Sequence, residues 1–248
     1  MLIQRTLIYF FLTLTLVASV HASDINANPP ASTVRLVFIH HSVGEGWLGD
    51  GGLRQALNLN NYYVTDTNYG WGPDSIGDNT DIGNWYNWFL GPSRNTYTQA
   101  LYSNNALTEG IGPNSISNPG GSNTIVMFKS CFPNGQNIGG NASDAPLTQG
   151  VPNPIWGINS GSDEYTVSNI KGLYRDLLDY FATRQDKLFV LITTSPSLSG
   201  NVDANSAAKH RAITSWLVNE WLMNYNYSTE NSKIYHQSNI YGVLSQVF

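Results

Sequence analysis

A three-layer α/β/α sandwich around a parallel sheet is the fold this sequence predicts, on three observations. Short apolar, β-branched runs recur along the chain, amphipathic helical patterns separate the later ones, and long Gly- and Asn-rich stretches follow two of them. A strand covered on both faces reads as a continuous apolar run, because neither of its sides meets water. Strands alternating with helices need right-handed crossovers, which lay helices on the sheet. Ligands of such sheets gather beyond the carboxyl ends of the strands, so those ends are where function is sought.

The chain begins with Arg5 ahead of an apolar run from Leu7 to Val20 that closes in Val20-His21-Ala22. That pattern predicts a signal peptide over 1–22 and a secreted protein, extracellular or periplasmic. Residues 23–33, with Asn28-Pro29-Pro30, read as a linker, and 34–248 as one domain. No other segment could cross a bilayer, so no membrane is expected as a partner once the leader is cut.

The first strand is predicted over Val34 to His41, and similar runs lie at Tyr62 to Thr67, Thr124 to Phe128 and Lys187 to Thr193. A weaker one falls within Ile234 to Leu244. From Val167 to Phe181, Val167, Ile170, Leu173, Leu177, Leu178 and Phe181 form one helical stripe. A second helix is predicted from about Asn205 to Tyr225, where Ile213, Leu217 and Trp221 recur every four residues and Asp203 or Asn205 is placed to cap. Gly70 to Gly91 and Asn134 to Ser162 fit neither period and are expected to overhang the site as long loops.

Charged residues make up 12% of the chain, against roughly 25% in an average globular protein. Asn, Ser, Thr, Gly and Tyr therefore keep the surface polar, a composition common in secreted proteins that handle carbohydrate. A net charge of -5 without a Lys/Arg cluster excludes nucleic acid as an expected partner, since phosphate binding needs concentrated positive charge. The single Cys131 has no internal disulfide partner and reads as a small buried hydrophobe.

Chemistry is most concentrated in His40-His41-Ser42-Val43-Gly44, where the first strand stops. A serine there projects its hydroxyl from the sheet edge, with Gly44 relieving crowding in the turn. The competing role for Ser42 is capping the next helix. Adjacent strand residues point to opposite faces, so His40 and His41 are not expected to share one metal ion, and only His40 shares a face with Ser42. In the loop after the second strand, Asp74, Asp78 and Asp81 lie among Trp71, Trp85 and Trp88. These rings suit stacking on sugars, or else anchor the loop by burial, and the acids match no calcium-loop spacing.

Several blocks together resemble the SGNH (GDSL-like) hydrolase superfamily, in a variant with HHS for the usual GDS. They are Phe38-Ile39-His40-His41-Ser42-Val43-Gly44, Tyr69-Gly70-Trp71-Gly72-Pro73 and Met127-Phe128-Lys129-Ser130-Cys131-Phe132-Pro133-Asn134, joined by the stretch from Thr166 to Pro196. The resemblance implies a flavodoxin-like sandwich and a serine esterase that needs no cofactor and no metal. It implies Ser42 as nucleophile and Gly70 (or Gly72) and Asn134 as oxyanion donors; beside them, Trp71, Lys129 and Trp85 are expected at the substrate. The Gly-x-Asn-Asp block is absent, and direct register sets Lys129 and Cys131 where its Gly and Asn fall. The Asp-x-x-His block that normally supplies the base after the last strand is also absent. His40 or His41 is then the base, His210 being expected to face solvent and His236 to lie near the last strand. Otherwise the chain is a truncated or non-catalytic, carbohydrate-binding relative. The expected partner is a small-molecule or polysaccharide ester; a metal-dependent hydrolase centred on the two histidines is the third alternative.

Overall fold

The computed structural model describes residues 28–108, 110–194 and 200–222, together with the backbone of 243–244. Its sheet contains β1 (Val34–Ile39), β2 (Tyr62–Thr67), β3 (Ile125–Lys129), β4 (Leu188–Ile192) and β5 (Val243–Leu244). All pairings are parallel, in the order β2-β1-β3-β4-β5. The chain steps outward from β1 to β2 and then returns to the other side of β1 for β3. That reversal makes the carboxyl ends of β1 and β3 a topological switch point, the place where open α/β sheets bind ligands.

Strand pleating divides the core into two layers. Leu36 and Phe38 of β1, with Val64, Met127 and Ile192, face α1 (Val43–Leu48) and α2 (Leu53–Leu59), which contribute Leu48, Leu53 and Leu57. Val37 and Ile39, with Val126, Phe128, Phe189 and Leu191, face α3 (Trp85–Phe89), α4 (Arg94–Ser103), α5 (Val167–Ala182) and α6 (Ala204–Asn219). Both faces are thus covered by helices, as the continuous apolar runs require. Arg35 is buried at the start of β1, where its guanidinium donates to Asn123 Oδ1 (3.2 Å), Gly121 O (2.8 Å) and Asn104 O. These bonds offset the desolvation of a charge that has no carboxylate beside it among the described residues.

The predicted stripe of α5 is buried along its whole length, and Thr166 caps it by accepting from Asn169 N at 3.3 Å. Asp203 caps α6 by accepting from Asn205 N and Ser206 N at 2.9 and 3.0 Å. That helix stops at Asn219 instead of running to Tyr225. Glu220 leaves helical geometry, and Trp221 turns inward to donate from Nε1 to Tyr174 O at 2.8 Å.

The stretch from Gly70 to Gly91 is more ordered than its composition predicts. It folds into 3-10 turns at Pro73–Asp78 and Ile82–Asn84 and then α3, because Trp85, Trp88 and Phe89 fall at helical spacing and are all buried. The expected signal peptide, the start of the linker and His236 lie outside the described residues; the Pro30 end of the linker is held by Asn61 Nδ2 donating to its carbonyl at 2.8 Å. Among the described residues no helix is long and apolar enough to cross a membrane.

Candidate active site at the carboxyl edge of the sheet

Ser42 occupies the sharp turn between β1 and α1 at φ 46°, ψ −107°. A side chain at positive φ with that ψ is strained, and such strain concentrates at functional turns. The helix begins on backbone bonds alone, Glu45 N and Gly46 N donating to Ser42 O at 2.8 and 3.3 Å. The Ser42 side chain makes no capping bond and the residue is exposed. Capping therefore does not explain the serine. Two residues on, a Cβ on Gly44 would lie 2.9 Å from His40 Nδ1 and closer still to His40 Cβ. Only glycine lets the first turn of α1 rest on that imidazole.

β1 ends at Ile39, short of the expected His41, so the two histidines lie past the strand, and there they diverge. His40 is 0% exposed and its Nε2 lies 2.8 Å from Asp66 Oδ2 on β2. Asp66 is itself buried and accepts from Thr108 N (2.7 Å) and Thr108 Oγ1 (2.6 Å), bonds that suit an ionised carboxylate. A carboxylate only accepts, so Nε2 carries the hydrogen and Nδ1 keeps its lone pair. That Nδ1 is buried without a partner among the described residues, under the turn that carries Ser42 and Gly44. His41 instead donates from Nε2 to Gly77 O and stacks on Tyr69 with ring centroids 3.9 Å apart. Burial is the main cause holding its pKa below the usual histidine value, partly offset by the Gly77 bond and nearby Asp81. Among the described residues no three His, Cys, Asp or Glu side chains are grouped to hold a metal ion.

Lys129 ends β3, on the residue after the Ile39–Phe128 pair, which sets it beside His40. It is 2% exposed, and its Nζ meets the Ser130 carbonyl, at 3.4 Å, and the Trp47 ring, 5.6 Å from its centroid. Among the described residues no carboxylate comes within ion-pair distance of it. Burial lowers its pKa, with Cys131 and Asp81 opposing. Lys129 is therefore an interior cation at the switch point and not an exposed ligand for substrate.

The expected oxyanion donors are already engaged. Asn134 Nδ2 donates to Asp81 Oδ1 (2.7 Å) and Cys131 O (2.9 Å), while its Oδ1 accepts from Tyr165 OH (2.7 Å). Gly70, exposed at φ 72°, donates its N–H to Asp78 Oδ1 at 2.6 Å. Gly72 is likewise exposed at φ 81°. Asp81 also accepts from Ser160 Oγ at 3.1 Å, so it joins three loops: its own, the turn after β3 and the stretch around 160. The third acid, Asp74, accepts from Tyr97 OH at 3.1 Å.

Of the tryptophans, Trp85 is corrected from substrate platform to core: it is 0% exposed and packs edge-on against Phe128 at 5.1 Å. Trp88 is equally buried and donates to Asn79 O. Trp71 stacks on Trp88 at 6.0 Å but is half-buried, which leaves part of its ring at the rim. His210 also departs from expectation: it is half-buried, its ring lies 3.3 Å from where a Gly135 Cβ would be, and burial lowers its pKa. Cys131 is half-buried, not fully interior.

Sequence reasoning missed Asp66 and Tyr69 as partners of the histidines. Asp66 sits within an apolar-looking strand, where a carboxylate is itself a signal, because a buried acid needs a partner. Comparison with known proteins finds no matching family model, no matching curated protein and no matching solved structure. The arrangement offers an exposed hydroxyl, a buried imidazole two residues before it that a carboxylate orients, and a buried lysine at the end of the neighbouring strand. Those are the parts that nucleophilic attack on a carbonyl requires.

Proposed function

We propose that this protein is a secreted serine ester hydrolase of SGNH type that removes acyl groups, carbohydrate acetyl groups among them, without a cofactor. One observation carries the reading: Ser42 is an exposed serine held at strained dihedrals, free of any capping bond, at the carboxyl end of β1 by the switch point.

A serine hydroxyl attacks poorly until a neighbour takes its proton. His40 is the base best supported by geometry, since Asp66 fixes its tautomer and its acceptor nitrogen has no other partner. The mechanism requires Ser42 Oγ to turn toward Nδ1, a nitrogen with no hydrogen-bond partner among the described residues. As the Oγ–carbonyl bond forms, the proton passes to His40, which then delivers it to the departing alkoxide. Water, deprotonated by the same imidazole, cleaves the acyl–serine ester and restores Ser42. The charge on the tetrahedral oxygen is stabilised by the field of the Lys129 ammonium. For Gly70 and Asn134 to donate to it, each exchanges an internal carboxylate, Asp78 or Asp81, for the substrate oxygen.

The test uses 4-nitrophenyl acetate and a fluorophosphonate probe on the purified protein. Wild type is expected to turn over the ester and to gain the probe's mass on Ser42, and Ser42→Ala to lose at least a thousand-fold in kcat, as removal of a nucleophile does. Undiminished turnover by that variant would exclude Ser42. A wild type with neither turnover nor labelling would favour the non-catalytic binding alternative.

A further inference from the structure

Away from the residues around Ser42, α3, the 149–156 stretch and α5 line an open cavity of about 350 Å3. Its walls are of two kinds. Tyr86 and Trp156 stack with centroids 4.5 Å apart and planes 13° from parallel, and Leu90 and Val151 extend that apolar surface. Opposite, Asp176 and Asp179 lie three residues apart on α5 and so share one face of the helix.

We propose that this cavity is a saccharide-binding subsite that takes a neutral sugar ring. A pyranose has apolar C–H faces and a girdle of hydroxyls, and it needs an aromatic surface on one side and hydrogen-bond acceptors at its edge. The aromatic pair provides the first, and the carboxylates accept from hydroxyls in charge-assisted bonds. Phosphate or carboxylate ligands are disfavoured by two acids of like charge. A cationic ligand is a poorer match, because Arg175 Nη2 already lies 2.7 Å from Asp176 Oδ1 and offsets one of the two charges.

The walls are set before any ligand arrives, which lowers the entropy cost of binding. Gly157 N donates to Gly83 O at 3.0 Å, Asn153 Nδ2 to Asn169 O at 2.8 Å, and Arg175 Nη1 to Leu147 O. A Cβ on Gly83 would lie 2.6 Å from Ile155 O and closer still to Ile158 O, so the loop beneath Trp156 seats directly on that glycine. None of these residues belongs to the Ser42 site, and the inference does not rest on the esterase reading.

The experiment titrates wild type, Trp156→Ala, Asp179→Ala and Ser42→Ala with cellohexaose, xylohexaose, mannohexaose and N-acetylchitohexaose, followed by ligand-observed NMR, with tetramethylammonium as the cationic control. At least one oligosaccharide is expected to bind wild type and Ser42→Ala equally, and to bind Trp156→Ala and Asp179→Ala at least ten-fold more weakly. Hydrolysis of 4-nitrophenyl acetate, if present in wild type, is expected to persist in both cavity variants. Failure of every oligosaccharide to bind, equal binding by the variants, or binding of tetramethylammonium alone would overturn the proposal. If Trp156→Ala does not fold by circular dichroism, Asp179→Ala, exposed on α5, decides.

Discussion

At the scale of single residues, the proposed function and stability make opposite demands on position 42. A side chain at φ 46° is strained, and glycine removes both the Cβ and the strain. Ser42→Gly is therefore expected to abolish ester hydrolysis while raising stability by about 1 kcal/mol in urea denaturation. A serine kept only for the turn would show no such opposition. Lys129 is a parallel case: its ammonium is buried without a carboxylate among the described residues, so Lys129→Met is expected to hold or raise the melting temperature while lowering kcat. Asp66 acts through His40. Asp66→Asn keeps the shape of the carboxylate but leaves the imidazole free to turn its hydrogen toward Ser42, and kcat is expected to fall at least a hundred-fold with KM little changed. Loss confined to KM would remove His40 and Asp66 from the mechanism.

At the scale of elements, the site depends on how closely α1 sits on the end of β1. Leu48 buries the helix against Phe38, and Gly44 lets its first turn reach His40. Gly44→Ala places a methyl group against that ring, and a shift of α1 is the only relief. Stability is expected to fall by about 1–3 kcal/mol, as for other overpacked interiors, with hydrolysis lost alongside. The control is Gly46→Ala on the same helix, where a Cβ meets nothing within 4 Å; it is expected to leave the melting temperature and turnover near wild type. The loops obey the same logic. Asp81 and Gly83 tie the stretch after β2 to the stretch around 157–160, so the rim over the sheet is one packed layer held by named bonds.

At the scale of the whole molecule, His41 and His210, one buried and one half-buried, are expected to contribute to acid sensitivity. Burial lowers the folded-state pKa of both His41 and His210 below the ordinary value of 6.5. A histidine depressed on folding binds its proton more readily in the unfolded chain, so stability is full above pH 6.5 and is lost as pH falls through the folded values. The melting temperature is thus expected to be level from pH 7 to 8 and to drop as the pH falls below 6.5. His210→Gln, which leaves the Ser42 site intact, is expected to flatten that drop in part. An unchanged slope would place the acid sensitivity elsewhere.

The sheet, its parallel sense and the two long helices were legible from sequence, because burial on both faces and a helical stripe impose periodicities that the chain itself carries. Asp203 was legible as a cap for the same local reason. Ser42 was visible as the residue where the first strand ends, and Trp71 and Trp85 as loop aromatics. Which histidine holds a carboxylate, which tryptophan is interior, and whether Asn134 is free are pairings between residues distant in the chain, and no spacing encodes them. Only the register of β1 against β2 and the descent of α1 onto His40 decide that Asp66, 26 positions away, orients the imidazole under the first turn of α1. Local order follows from the periodicity of burial along the chain, whereas a site is a set of distances between strands, and packing sets those distances.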